Sequence, residues 1–204
     1  TGTRPSAPDV RWTAAGSPYR IPQDLTVPSG VTLAIEPGVS VFVSPGRSLR
    51  FGSNAVLKVM GNPYGRVSFS HVPGAAPVDD TDIPGTQIGP PKWHGIHIEG
   101  SLSSNNRISY ADLDNGQVTG FDGTLTVNQS ICTIEHCTFR GTKFHALRGN
   151  SSSLTVTDCY FYTDYKPGDN PLTLGLDNAS EFVQLGVDGA SGSGFTGNWP
   201  TGGV

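Results

Sequence analysis

Charge is scarce in this chain. Of its 204 residues only 15% are Asp, Glu, Lys or Arg, and the net charge is −4. With no basic stripe to neutralise phosphates, nucleic acid is not an expected partner. No apolar run approaches the ~20 residues of a membrane-spanning helix, so membrane insertion is not expected. There is one Met, and no segment keeps the 3.6-residue period of an amphipathic helix. Three cysteines do not make a disulfide framework. No leader peptide is visible, but the chain begins at Thr1 rather than Met. A removed leader and a secreted, extracellular or cell-surface location fit that start.

What is plentiful is Gly (27) and Pro (16), set between short alternating apolar segments. Pro28-Ser-Gly30, Glu36-Pro-Gly38 and Ser44-Pro-Gly46 are turn signals with a mechanism, since Pro presets φ and Gly supplies φ > 0. The segments repeat. Cys132, Ile134, Cys137 and Phe139 match Leu154, Val156, Cys159 and Phe161 at an offset of 22. Leu25 matches Leu49 and Leu33 matches Leu57 at 24, and Ile108, Asp112 and Leu113 fit Cys132, His136 and Cys137 at the same offset. A coil of that length cannot bury its apolar face alone, whereas a stack of coils can. The expected fold is all-β: a single-stranded right-handed parallel β-helix, a solenoid of about seven coils of 22–24 residues. Like residues would then stack on like about 4.8 Å apart.

The chain divides into a lead-in or cap at 1–20, the β-helix at 21–187 and a flexible Gly/Ser-rich exit at 188–204. Within the helix, 73–92 breaks the period and reads as one long inserted loop. Trp12 is placed to cover the first coil, whose edge would otherwise invite pairing. After the insertion the repeat resumes at Trp93, with Ile96 and Ile98 inward and His97 outward. All three cysteines fall on inward sites. Cys137 and Cys159 should be stacked within disulfide reach, although in-register parallel strands disfavour the required dihedral. A bridge and free thiols both stay open there.

The stretches Leu25–Gly38 (LTVPSGVTLAIEPG), Trp93-His-Gly-Ile96 and Asn106–Leu113 (NRISYADL) resemble the right-handed parallel β-helix repeat proteins of the pectate-lyase-like superfamily. The likeness covers roughly residues 20 to 165 and is nearest to non-catalytic modules of large secreted or surface proteins. It specifies fold far better than function, because the superfamily holds lyases, hydrolases, adhesins and inert modules. A Ca²⁺-dependent pectate lyase would need several carboxylates on one strand face beside an Arg or Lys base. The outward sites Lys58, Ser109, Thr133 and Thr155 are mostly neutral. A polygalacturonase would show Asn-Thr-Asp, Asp-Asp, His-Gly and Arg-Ile-Lys in order along the coils. The only Asp-Asp pair, Asp79-Asp80, sits in the insertion. No carboxylate pair at hydrolase spacing can be argued.

Four constellations carry candidate chemistry. Asp79, Asp80 and Asp82 could offer oxygens to Ca²⁺, the one cofactor suggested, against the simpler reading of a solvated acidic loop. Asp112, His136 and Asp158 would form an outward polar ladder with an imidazole between two carboxylates. Trp93, His94, His97 and Tyr64 are candidates for a ligand surface, since aromatic faces cover sugar C–H groups; the competing role for Trp93 is a lid over the core. Asn128, Asn150 and Asn178 open Asn-X-Ser sequons, which Ser- and Asn-rich turns also produce by chance.

The function these features favour is a secreted structural or binding module, with a flat face and one long loop offered to a polysaccharide or an extracellular protein. One alternative is a polysaccharide lyase or glycoside hydrolase with its site between Asp79 and His97. Another is a subunit that self-associates end to end through its open coils.

Overall fold

The computed structural model describes residues 9–75, 92–116, 123–142, 145–163, 174–177, 181–188 and 196–198. These form a parallel β-solenoid; the helical content among them is one 3-10 turn at Ala14–Gly16. No helix among them is long and apolar enough to cross a membrane.

The strands visit three sheets in rotation. The first sheet stacks Asp9–Trp12, Thr32–Ile35, Val56–Met60, Arg107–Ser109, Ile131–Glu135, Ser153–Thr157, Glu181–Asp188 and Thr196–Asn198. The second stacks Tyr19–Ile21, Ser40–Val43, Val67–His71, Ala111–Asp114, Thr138–Thr142 and Tyr160–Thr163. The third stacks Leu25–Val27, Leu49–Phe51, Ile96–Glu99, Gly123–Asn128, His145–Asn150 and Leu174–Asp177. Asp9–Trp12 and Tyr19–Ile21, in the stretch read as a lead-in, are therefore already strands of the stack, and Thr196–Asn198 adds a strand within the expected exit.

Following one inward site of the third sheet gives the coil lengths. Leu25 stacks on Leu49, Leu49 on Ile96, Ile96 on Leu125, Leu125 on Leu147 and Leu147 on Leu174. That is five turns of 24, 47, 29, 22 and 27 residues. The stack has about five turns rather than seven. Dividing length by a regular period counts residues of long connections as if they built coils of their own.

Alternation explains the interior. In Thr32–Ile35, Ser40–Val43 and Ser153–Thr157 every second residue is buried. The column Trp12, Ile35, Val59, Ile108, Ile134 and Val156 runs up the first sheet, and Val41, Phe69, Leu113 and Phe139 up the second. Burying a Leu, Ile or Phe side chain contributes about 1.5–3 kcal/mol, and here every coil depends on its neighbours for that burial. Trp12 is 1% exposed and stacks on Tyr19 with centroids 4.7 Å apart, so an aromatic pair fills the first coil.

The predicted offset of 22 from Cys132 to Leu154 is the observed register. The predicted pairing of Ile108 with Cys132 is not: Ile108 pairs with Ile134, 26 residues on. Side-chain period in a strand is two, so a two-residue slip leaves inward residues inward, and alternation alone cannot detect it. The three cysteines are buried and unbridged, with the Cys137 N–H donating to Cys159 Sγ at 3.4 Å. Burial pushes the Cys132 thiol up to about 12.

The connections into the first sheet carry polar groups into the core. Asn106 is fully buried: its Oδ1 accepts from the Leu57 N–H at 3.1 Å, and its Nδ2 donates to Ser101 Oγ (2.8 Å) and to the Ile131 carbonyl (3.0 Å). One amide thus ties three successive coils. Replacing Asn106 by Leu should strand those groups and cost about 3 kcal/mol, read as a lowered thermal unfolding midpoint. An unchanged midpoint would show that the amide is dispensable.

Candidate functional site

The sheet with the most strands among the described residues is the first, with eight. Its outward columns follow from register: Ala34, Lys58, Arg107, Thr133 and Thr155 in one, Met60, Ser109, Glu135 and Thr157 in the next. The corrected offset changes this face. Arg107, not Ser109, lies between Lys58 and Thr133, so two cationic side chains occupy adjacent strands. A groove of about 400 Å³ opens here, lined by Lys58, Met60, Asn105, Arg107, Ser109, Tyr110 and Glu135 among others. Gly61 forms part of its wall, where a Cβ would come within 2.3 Å of the Tyr110 carbonyl oxygen.

The groove floor is preorganised. Arg107 Nε donates to Ser109 Oγ and Glu135 Oε1, both at 3.0 Å, and its terminal nitrogen also reaches Glu135. Ser109 Oγ donates to the same Glu135 oxygen at 2.8 Å. Burial pushes the Glu135 carboxyl up, but hydrogen bonds from Arg107 and Ser109 and the nearby positive charge outweigh it and hold the group below the usual range. Lys58, by contrast, makes no ion pair with any described residue.

At the corner between the first and second sheets, Tyr110, His136 and Asp158 stand one above another. Each is left-handed, with φ of 48°, 52° and 50°. The Tyr110 ring stacks on His136 at 4.3 Å, and His136 Nδ1 lies 3.6 Å from Asp158 Oδ2. The predicted ladder is thus half right. His136 and Asp158 are neighbours, but the lower position belongs to Tyr110. Asp112 sits instead on the outer face of the second sheet, paired with Thr138 in register and held by Arg66 through hydrogen bonds of 2.9 and 3.0 Å. The same two-residue slip accounts for the difference.

The aromatic and histidine candidates are not brought together as a surface. Trp93 is fully buried, with Nε1 donating to the Asp114 carbonyl at 2.8 Å and its ring 6.4 Å from Phe69, so it is a core lid rather than a sugar platform. His97 occupies an outward register site beside Arg50 but is 2% exposed, because its Nε2 turns back to donate to the His94 carbonyl at 2.7 Å. His94 is half-buried, and that burial lowers its pKa, with Asp24 opposing and Arg50 and Arg47 reinforcing. Tyr64 is fully exposed on the turn 61–66, where Asn62 Oδ1 accepts from the Tyr64 N–H.

Two sequons gain a structural origin. Asn128 and Asn150 are stacked, Asn150 Nδ2 donating to Asn128 Oδ1 at 3.0 Å. Ser130 and Ser152, two residues on, point inward, and the Ser130 N–H donates to Ser152 Oγ at 3.2 Å. The turn wants an amide at the strand end and a small hydroxyl two residues later, and that pattern reads as a sequon. Asn178 and the carboxylates Asp79, Asp80 and Asp82 lie outside the described residues. No group of three or more His, Cys, Asp or Glu able to hold a metal occurs among the described residues.

A second groove, about 490 Å³, runs along residues 20–26 at the N-terminal edge of the stack. Its two charged side chains are already engaged: Arg20 lies over the Phe42 ring at 5.5 Å, and Asp24 accepts from the Ser48 backbone and hydroxyl. The groove on the first sheet is therefore the better candidate. Compared with family models, curated proteins and solved structures, the chain finds no match in any of the three.

The Arg107–Glu135 contact has a pH signature. With the folded carboxyl below its unfolded value of 4.5, the pair contributes stability that is present above pH 4.5 and lost as pH falls through the folded value. The stability difference between the unaltered chain and Glu135→Gln should hold at neutral pH and shrink below that point, as read by thermal melts across a pH series. A difference independent of pH would mean that Arg107 does not hold Glu135 ionised.

Proposed function

We propose that this protein is a secreted, non-catalytic binding module that presents the outer face of its first sheet to a glycan, with the Lys58–Arg107–Tyr110 groove as the contact. The observation that carries this reading is the groove itself. A preorganised set of donors and acceptors, Arg107, Ser109 and Glu135, lies beside a tyrosine ring and a lysine that has no ionic partner among the described residues. Hydroxyl-rich ligands are recognised by such fixed polar groups beside a ring face, which covers their C–H surface. Rigid parallel strands also limit the ordering cost of binding.

The arrangement suits binding better than hydrolysis. Among the described residues Glu135 is the one carboxylate lining the groove, and Arg107 keeps it ionised. It can accept hydrogen bonds but lacks the raised pKa of a general acid and a second carboxylate to work with.

On polysaccharide affinity gels the unaltered chain should be retarded. Arg107→Ala should weaken that retention about tenfold or more, as expected for losing charge-assisted hydrogen bonds. Arg50→Ala, which removes the same charge from the third sheet, should leave it unchanged. Release of reducing or unsaturated ends from any polysaccharide tested would overturn the non-catalytic reading.

A further inference from the structure

Where the second sheet hands over to the third, an amine and an amide meet. Lys92 Nζ donates to Asn115 Oδ1 at 3.4 Å and also to the Gly141 carbonyl, so two acceptors hold it against the Asn115 side chain. Both residues are partly shielded, and buried Trp93 lies beside them, its N–H donating to the Asn115 carbonyl at 3.3 Å. We propose that Lys92 and Asn115 are the two halves of an intramolecular isopeptide bond. It would be a covalent staple between the entry to Ile96–Glu99 and the exit of Ala111–Asp114.

The reaction balances without an added reagent. Lys92 Nζ attacks Asn115 Cγ, a new Nζ–Cγ bond forms, and the Cγ–Nδ2 bond breaks. The amide nitrogen takes up the two protons that the lysine ammonium sheds and leaves as ammonium. One cation is consumed and one is released, and nothing is oxidised or reduced. The contact brings Nζ next to the amide, and Nζ attacks once it has given up a proton and freed its lone pair. Asp114, the preceding residue, has a carboxyl that burial pushes toward its protonated form, with Arg140 opposing and Asp112 reinforcing.

A competing nucleophile must be weighed. Asn115-Gly116 is the sequence's one Asn-Gly pair, and in mobile chains the following backbone nitrogen attacks the amide to form a ring. Here the backbone is pinned. Asn115 sits at φ 58°, its N–H donates to the Arg140 carbonyl at 2.8 Å, and Gly116 is bridged to Trp93. Ring closure would require that peptide to swing out of both contacts, whereas Lys92 already touches the amide. A staple here would also lock together residues 23 apart in a fold whose three cysteines form no bridge.

Intact-mass measurement of the folded full chain tests this. The expected result is a species lighter than the sequence mass by one ammonia. Its digest should contain a branched peptide joining Lys92 to Asn115, and Lys92→Ala should restore the full sequence mass. A mass equal to the sequence mass in the folded chain overturns the proposal. So does an ammonia loss that persists in Lys92→Ala, or one mapped to a ring at Asn115-Gly116. The branched peptide is sought in the unaltered protein, so the test holds even if the variant fails to fold.

Discussion

The constraint on which everything else rests is that no coil can bury its own apolar face. Ile108 is inside only because Val59 lies below it and Ile134 above. Parallel stacking follows, since a chain wound in one sense can place each strand only beside the equivalent strand of the next coil. Outward residues are brought into columns by the same act. The candidate groove is thus a by-product of core register. Lys58 and Arg107 are adjacent because Val59 and Ile108 are.

Polar groups inside the stack obey the same rule. Ser101 and Ser130 are buried and linked, the Ser101 N–H donating to Ser130 Oγ at 2.9 Å, and the Ser101 hydroxyl reaches the Ala55 carbonyl at 2.7 Å. Asn106 answers backbone groups on the coils below and above its own. At corners, where the ladder of main-chain bonds is interrupted, these side chains supply the partners that water cannot.

The architecture was legible in the sequence because it depends on patterns that survive small errors. Alternation set the inward residues, and the repeats at 22 and 24 set the register of two of the five turns. What was not legible was the coil around Ile108, where a 24-residue frame and the true 26-residue one bury the same residues. The groove fell into that gap: with Ser109 placed opposite Lys58 the face looked neutral, and Arg107 went unnoticed. The lid role weighed for Trp93 is the one the structure shows, while the burial of His97 was not foreseen. Their burial comes from main-chain acceptors, the Asp114 and His94 carbonyls, which no side-chain pattern announces. A usable clue was present, since Tyr110 occupies the site two residues after Ile108 that His136 occupies after Ile134.

The uneven turn lengths carry a last consequence. The longest passages between described strands, 72–95, 115–122 and 164–173, all lead from the second sheet to the third, while neighbouring strands stay aligned. The largest length variation thereby falls on a single seam. Such a molecule can acquire or shed whole segments along that seam in the course of descent without reopening the question of how its coils fit, so novelty and architecture are inherited separately.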